Sequence, residues 1–332
     1  MTRIALIVEP GSTPSSVMTT LDMFSIAARY PEAGDCRVEL LSSSGGTIQL
    51  AAAVRVETLA LADTLEPYAA VILPGFFAED VAALSGQLQS VWQPAIARLR
   101  RLGPATLAAA SCYGTFVLAE SGLLDERRAT TTWWLQAAFR QRYPRVELDA
   151  DLALADGGNV LTAGAMTAHT DLSLHVLRRL FGAALAHNVA GIMLVDGART
   201  SQRPFMALQR AFADPLVQQA ADWMAQHCVT GFDFSTPTLA AALHASYRTL
   251  HRRFTSAAGM PPLAYVQALR VERAKELLES TRLSLEQIVE KIGYSDVSAF
   301  RRLFARSTGL SPAQYRQRFK RPAEGKGRAC DF

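Results

Sequence analysis

Cys112, in the run Ser111-Cys112-Tyr113-Gly114, is the residue of the first half of the chain placed to carry chemistry. It follows a run of small apolar residues, Ala105–Ala110, that reads as a strand, and it precedes a helical stretch reaching Ser121. A thiol on a tight strand-to-helix turn has a helix amino end behind it, which favours the thiolate and leaves the side chain exposed. The same turn leaves backbone N–H groups free to hold an oxyanion. The plainer alternative is a small apolar residue packed at a close turn. A second set of residues points to different chemistry. Ser298, Arg301 and Arg302 share the outward face of a segment whose inward face carries Phe300, Leu303 and Phe304. Paired arginines on the second of two short helices suit the base edges of a major groove, and the alternative is a helical hairpin with a solvated basic face. The four cysteines, Cys36, Cys112, Cys228 and Cys330, lie far apart with no C-x-x-C pair. Neither a disulfide nor a zinc site is expected, and no cofactor or metal.

The basic face belongs to a helix-turn-helix. Ser284 caps a helix and Gln287 completes a capping box. Leu285, Ile288, Val289 and Ile292 recur at helical spacing. Gly293 stops that helix in a left-handed conformation, Tyr294–Ser295 turn the chain, and Asp296 caps the second helix. The unit is repeated. A shift of 50 positions lays Leu250 on Phe300, Arg252 on Arg302, Phe254 on Phe304, Gly259 on Gly309, Pro262 on Pro312 and Tyr265 on Tyr315, with Ser246 at the cap of Asp296. Two such copies are one architecture used twice. Between them Leu263–Glu279, with Val266, Leu269, Ala274, Leu277 and Leu278, reads as one long helix joining the units. Leu243–His244 stand where Gly293 stands, so the first turn is expected to be less regular.

The stretches LHRRF, RVERAKELL and IVEKIGYSDVSAFRRLFARSTGLSPAQYR make the segment from about Asp233 to Arg321 resemble the DNA-binding domain of AraC/XylS-type transcription regulators. The resemblance implies two units reading successive major grooves of double-stranded DNA, with RNA polymerase as a further partner. By position Arg248, His251 and Arg252 fall on the first reading helix and Ser298, Arg301 and Arg302 on the second. Val297 stands where a polar reader is often found. Arg253, Arg270, Lys291, Arg306 and Arg316 are candidates for phosphate contact.

Charge separates the chain in two. Residues 1–235 hold 17 Lys and Arg against 22 Asp and Glu, a balance of −5, whereas residues 236–321 hold 15 against 6, a balance of +9. Basic charge gathered in one domain fits a polyanion partner bound in a salt-dependent way. A membrane surface is the other polyanion, but the apolar faces here are used by the helix-turn-helix cores. A length of 332 residues suggests two domains. The chain opens directly on the strand TRIALIVEP, and no apolar run reaches 18 residues. A cytoplasmic protein is therefore expected.

The first domain alternates strands and helices. Expected strands are Arg3–Val8, Arg37–Leu41, an edge segment at Ala51–Val56, Ala70–Leu73, Ala105–Ala110, Val146–Leu148 and Asn159–Thr162. Expected helices are Ser15–Tyr30, Val81–Leu102 with a break at Pro94, a segment reaching Ser121, and Thr167–Phe181. This alternation argues an α/β domain with a parallel sheet covered on both faces, and a ligand site beyond the carboxyl ends of the strands. Those ends are Glu9-Pro10, Pro74-Gly75-Phe76, Cys112-Tyr113 and Ala163-Gly164-Ala165.

The stretches ALIVEPGS, VILPGF, AAASCYGTFVLAESGLLDERRATTTWW and TAGAMTAHTDLSLHVLRRLFG make residues 2 to about 180 resemble the class I glutamine-amidotransferase-like superfamily in its PfpI-like branch. More closely, this half is similar to the sensor half of GlxA-type regulators, which join it to an AraC-type tail. The resemblance implies a flavodoxin-like sheet sandwich that dimerises. It aligns Cys112 with the elbow cysteine of the enzymes and places Glu9 near their acidic residue. Related regulators often carry a histidine before the tryptophan, and here that position is Thr132, which is no base near neutral pH. Cys112 is then a vestigial nucleophile, and the domain binds a small molecule rather than transforming one. The expected pocket is lined by Glu9, Pro10, Gly75, Phe76, Cys112, Tyr113, Thr132, Trp133, Ala165, Met166 and His169. Glu9 would pair with an amino or cationic group and an aromatic face would flank it, so an amino acid, amine or quaternary amine is the expected effector. Trp133 and Trp134 otherwise read as core, with at least one buried.

The domain boundaries expected are 1–200 for the sensor, 201–215 for a linker, 216–321 for the DNA-binding domain and 322–332 for a disordered tail. The whole reads as a dimeric transcription regulator of a catabolic or transport operon. The rival is an active cysteine hydrolase or amidotransferase-like enzyme that keeps a DNA-binding tail.

Overall fold

The strand runs at Ala70–Leu73, Leu107–Ser111 and Val160–Ala163 are short, apolar and β-branched or Ala-rich, and each buries both faces. In the computed structural model, which describes residues 1–197, 199–208, 210–227 and 234–320, they form one sheet. The strands are β1 (Thr2–Ile7), β2 (Cys36–Ser42), β3 (Gly46–Gln49), β4 (Arg55–Ala60), β5 (Ala70–Leu73), β6 (Leu107–Ser111), β7 (Arg128–Ala129), β8 (Glu147–Leu148), β9 (Leu154–Asp156) and β10 (Val160–Ala163). The main sheet runs β3-β4-β2-β1-β5-β6-β10-β9, while β7 and β8 pair apart from it. Its interior is parallel, and only the outer strands β3 and β9 are antiparallel to their neighbours. The expected edge segment is displaced. Ala51–Val54 is a turn, and the strands lie on either side of it as the hairpin β3–β4.

Alternation along the strands divides the core. Ala5, Ile7, Val71, Leu73, Ala108 and Ala110 face a layer containing Trp92, Phe116 and Phe139, supplied by α2 (Val81–Gln89), α3 (Gln93–Leu99), α4 (Gly114–Glu120) and α5 (Gln136–Arg142). Ile4, Leu6, Ile72, Ala109 and Leu161 face the opposite layer of α1 (Pro14–Ala27), α6 (Ala168–Phe181) and α7 (Ala183–Ile192). The break near Pro94 separates α2 from α3, with Trp92 buried between them. α7 packs in the same cluster through Leu185, Ala186 and Val189. Neither member of the tryptophan pair is core: Trp133 is half-buried and Trp134 is 44% exposed, because both lie on a 3-10 turn at Trp133–Leu135 outside the sheet.

Two compact units divide the chain at Gln202 and Arg203. The second is helical: α8 (Pro215–His227), α9 (Thr236–Ala242), α10 (Tyr247–Ala258), α11 (Pro262–Ser280), α12 (Leu285–Lys291), α13 (Val297–Thr308) and α14 (Pro312–Phe319), preceded by a 3-10 turn at Arg203–Phe205. Its core has two parts. Val217, Met224, Leu239, Leu250, Phe254 and Tyr265 make one, and Leu277, Ile288, Ile292, Phe300, Phe304 and Tyr315 the other. α11 contributes to both, Val266 and Leu269 to the first and Val271, Ala274 and Leu278 to the second, so it is the shared spine. The sequence repeat is also a structural one, since α10 and α13 have bounds offset by the same 50 positions. The tail from residue 322, together with Cys228 and Cys330, lies outside the described residues.

Candidate functional site

The carboxyl ends of β1, β5, β6 and β10 meet around Cys112. Its backbone is left-handed, with φ of 54°, a strained conformation for a non-glycine residue. The turn is held from the β10 side, because the Cys112 N–H lies within reach of both the Ala163 carbonyl (3.1 Å) and the Gly164 carbonyl (2.8 Å). Gly75 lets the β5 end come close: a Cβ there would stand 2.9 Å from the Cys112 Cβ and 3.2 Å from the Thr13 hydroxyl. The elbow is therefore built as expected, but its electrostatics are the reverse of an activated nucleophile. Cys112 is buried, at 8% exposure. Desolvation pushes its pKa up to about 12, against the smaller opposing effect of the Tyr113 N–H beside it. The Cys112 N–H is spent on β10 rather than free for an oxyanion. The exposed, stabilised thiolate is thus corrected to a buried, protonated thiol.

The candidate acid and base are both hydrogen-bonded to groups other than that sulfur. The buried Glu9 accepts from the Ser43 N–H at 2.8 Å and from the Ser43 hydroxyl. Burial raises its pKa, and the two Ser43 hydrogen bonds oppose the rise. His169 does not line an open pocket. It is buried on α6 beneath the sheet, where Nδ1 meets the Ser111 hydroxyl at 2.8 Å and Nε2 meets the Thr20 hydroxyl at 2.7 Å. Thr20 donates to the Ser16 carbonyl, so it accepts from Nε2–H, which leaves Nδ1 to accept from Ser111. Burial pulls the His169 pKa down to about 4. It is a neutral packing histidine.

Of the other expected lining residues, Gly75, Phe76 and Thr132 are buried, whereas Pro10, Tyr113, Trp133, Ala165 and Met166 reach the surface to different degrees. The Thr132 hydroxyl is buried without a hydrogen-bond partner, a cost that a bound polar group would relieve. The rings assemble one wall: Phe76 meets Tyr113 edge-on at 5.8 Å, Tyr113 lies 6.5 Å from Trp134, and the Trp134 Nε1–H donates to the Tyr113 hydroxyl. Trp134 and Ser43 were not foreseen as parts of the site. A separate groove of about 290 Å³ lies between α2, α4 and α5 and is lined by Leu84, Leu88, Phe116 and Arg142, so it contains none of the expected pocket residues.

The residue most completely missed is Gln202. Its side chain lies against Gly164, with Nε2 within 3.0 Å of the Thr131, Ala150 and Leu152 carbonyls and Oε1 accepting from the Ala165 N–H at 3.1 Å. Ala163-Gly164-Ala165, expected as pocket rim, is thus covered by the chain itself. No local pattern could have signalled a contact spanning 37 positions.

In the second unit each reading helix is fixed by its own cap. Asp296 accepts from the Ser298 and Ala299 N–H groups, Ser246 accepts from the Thr249 N–H, and Ser284 and Gln287 form the capping box. Gly293 has φ of 75°, and His244 adopts φ of 49° in the corresponding turn. On these helices Arg248, Arg252, Ser298, Arg301 and Arg302 are exposed, while His251 is half-buried and stacks on Tyr247. The phosphate candidates divide. Lys291 and Arg306 are exposed. Arg253 instead makes a bidentate ion pair with Asp214 (2.6 and 2.7 Å), since it occupies the inward position that Leu303 fills in the second copy. Arg316 donates to the Leu283 carbonyl, and Arg270 lies over the Tyr294 ring at 5.1 Å. Those three side chains already have partners within the domain. Among the described residues no helix is long and apolar enough to cross a membrane. No group of three or more His, Cys, Asp or Glu side chains among them is placed to hold a metal ion.

Residues 2–179 match the family described as DJ-1/PfpI, and residues 239–318 match a helix-turn-helix domain family. Among curated proteins the chain is similar to the HTH-type transcriptional regulator CdhR of Pseudomonas aeruginosa, 32% identical over 206 residues that cover 61% of this chain and 60% of CdhR. It is 30% identical over 225 residues to the HTH-type transcriptional regulator ArgR of the same organism, covering 67% of each chain. It is 27% identical over 224 residues to the HTH-type transcriptional regulator GlxA of Rhizobium meliloti, covering 67% of this chain and 68% of GlxA.

Proposed function

The chain belongs to the DJ-1/PfpI family, and on that premise we propose that it is a sequence-specific DNA-binding transcription regulator whose first unit senses a small nitrogenous metabolite. One observation carries this reading: two helix-turn-helix units at a fixed offset, each presenting exposed arginine on its second helix from a basic domain. Three relatives named as HTH-type transcriptional regulators support it. Arg248 and Arg252 with His251 would read one groove, and Ser298, Arg301 and Arg302 the next, with Lys291 and Arg306 on phosphate. In the first unit a protonated, buried Cys112 argues for binding rather than turnover. The buried Glu9 carboxyl and the Tyr113–Trp134 wall suit an ammonium-bearing effector. A cytoplasmic homodimer that places two DNA-binding units on paired half-sites and acts on RNA polymerase at a catabolic or transport operon completes the proposal.

The test is selection of duplexes from random sequence by the purified full chain. Enrichment of one motif pair, with affinity falling steeply as salt rises, is expected. Binding that is salt-dependent but indifferent to sequence would refute the proposal.

A further inference from the structure

Gln202 is 4% exposed, and its carboxamide is bound as a ligand would be. The Nε2 group faces the carbonyls of Thr131 (2.8 Å), Ala150 (3.0 Å) and Leu152 (3.0 Å) and the Thr130 hydroxyl (3.3 Å). Thr130 donates its own proton to the Leu152 carbonyl at 2.8 Å, which leaves it as an acceptor toward Gln202. Four acceptors thus surround a nitrogen with two protons. An ammonium group, with three protons and a full charge, would satisfy this cage better than the amide does. Oε1 takes the Ala165 N–H, so the site also offers a donor for an adjoining acceptor atom.

The fit depends on Gly164, where a Cβ would stand 2.2 Å from the Gln202 amide carbon and oxygen. Gly164 is also the residue whose carbonyl faces the Cys112 N–H, which makes the cage continuous with the elbow. The backbone around Gln202 is fastened too. Its N–H donates to the Asp151 carbonyl at 2.7 Å, Ser201 bridges Leu152, and Arg199 pairs with Asp171 at 2.8 Å. The next residue starts the second unit's own anchorage. Arg203 donates to the Arg306 carbonyl on α13, Pro204 is buried, and the Met206 carbonyl accepts from Lys275. One peptide bond therefore separates the caged side chain from chain fastened to a reading helix.

We propose that the cage formed by the Thr131, Ala150 and Leu152 carbonyls and the Ala165 N–H is an amine-binding site held by the chain's own Gln202 amide. A small molecule carrying a primary ammonium or carboxamide beside an acceptor, such as an α-amino acid or amino amide, displaces that side chain and detaches the linker. The inference deepens the regulator reading by naming the effector's recognition group and the step that transmits its binding. A tethered group competes at an effective concentration of the order of millimolar, so a free amide without further contacts acts at about 10–100 mM.

Tryptic cleavage of the Arg199–Thr200 bond in the full-length protein, followed by mass spectrometry, reads linker detachment through the population of the open form. Gly164→Ala, which evicts the amide, and Gln202→Ala, which removes it, are each expected to raise the cleavage rate about tenfold. Glycinamide at about 50 mM accelerates cleavage of the unmodified protein toward the Gln202→Ala rate and leaves Gln202→Ala, whose linker is already released, unchanged. Cleavage at the unmodified rate in both variants overturns the proposal. Faster cleavage in Gln202→Ala with the unmodified protein indifferent to glycinamide overturns it as well. If the regulator reading alone is wrong, these cleavage differences persist while the full chain selects no DNA sequence.

Discussion

A disulfide-exchange titration of Cys112 separates a sensor from a thiol enzyme. With the thiol pKa pushed up to about 12 by burial, the thiolate fraction at pH 8 is about 1 in 10,000, against roughly 1 in 4 for a free thiol of pKa about 8.5. A higher pKa makes each thiolate more nucleophilic by a Brønsted factor of roughly 25–55 over this span. The net exchange rate at pH 8 is then about 40–100-fold below that of a free thiol, before restricted access slows it further. The assay uses the chain with Cys36, Cys228 and Cys330 replaced by Ala, a small dipyridyl disulfide, and the absorbance of the released thiopyridine. The expected log rate climbs by one for each pH unit from 6 to 10 with no plateau. The sign also fixes a stability effect: because the native pKa is raised, stability is fully present below the unfolded thiol's pKa and declines as pH rises toward the native value. A rate plateau with a midpoint below pH 8 would refute the burial argument and restore the activated nucleophile.

Other outcomes follow from single residues. Arg302→Ala lowers affinity for the selected operator by about 1–3 kcal/mol and relaxes one base position; an equal loss on every sequence would mean that it touches phosphate alone. His169 has a native pKa depressed to about 4, so its contribution is complete above the unfolded value near 6.5 and is lost as pH falls through the interval. Between pH 7 and 4.5 this removes about 2–3 kcal/mol. Urea unfolding of His169→Gln should show an acid sensitivity smaller by that amount, and an unchanged sensitivity would contradict the assignment. His244 occupies a left-handed conformation that glycine adopts freely. His244→Gly should raise the stability of the second unit by about 0.5–1 kcal/mol in thermal melts, whereas a loss would show that the imidazole has a structural role.

What was legible in the sequence was what is decided locally. Asp296, Ser246 and the Ser284–Gln287 box sit beside the helices they cap, and Gly293 occupies the turn that needs it, so the helix-turn-helix bounds followed from spacing. The inner parallel strands β5, β6 and β10 were equally plain because each is a short, continuous, largely apolar run between turn residues. The short strands β7 and β9 were not, since two or three residues carry no period. Long-range pairing was invisible. Arg253 reads as an outward cation until Asp214, 39 positions earlier, is seen to hold it, and Gln202 gives no hint of a cage built from residues 37 to 72 positions away. The elbow turn at Cys112 was readable from its small neighbours, but the thiol's protonation was not, because burial is set by Gly75 and β10 rather than by the turn. Trp133 and Trp134 were misplaced for the same reason: their composition suggests core, and the 3-10 turn that carries them leads out of it.

The central claim is that this chain controls transcription at specific DNA sites through its two arginine-bearing helices. The most direct measurement is a genome-wide map of DNA occupancy in its own cells, for the unmodified protein and for Arg252→Ala/Arg302→Ala at equal abundance. A few sharp sites upstream of a nitrogen-compound catabolic or transport operon, lost in the double variant, are the predicted result. No localised sites under any nutrient condition, or sites the double variant retains in full, would contradict the account.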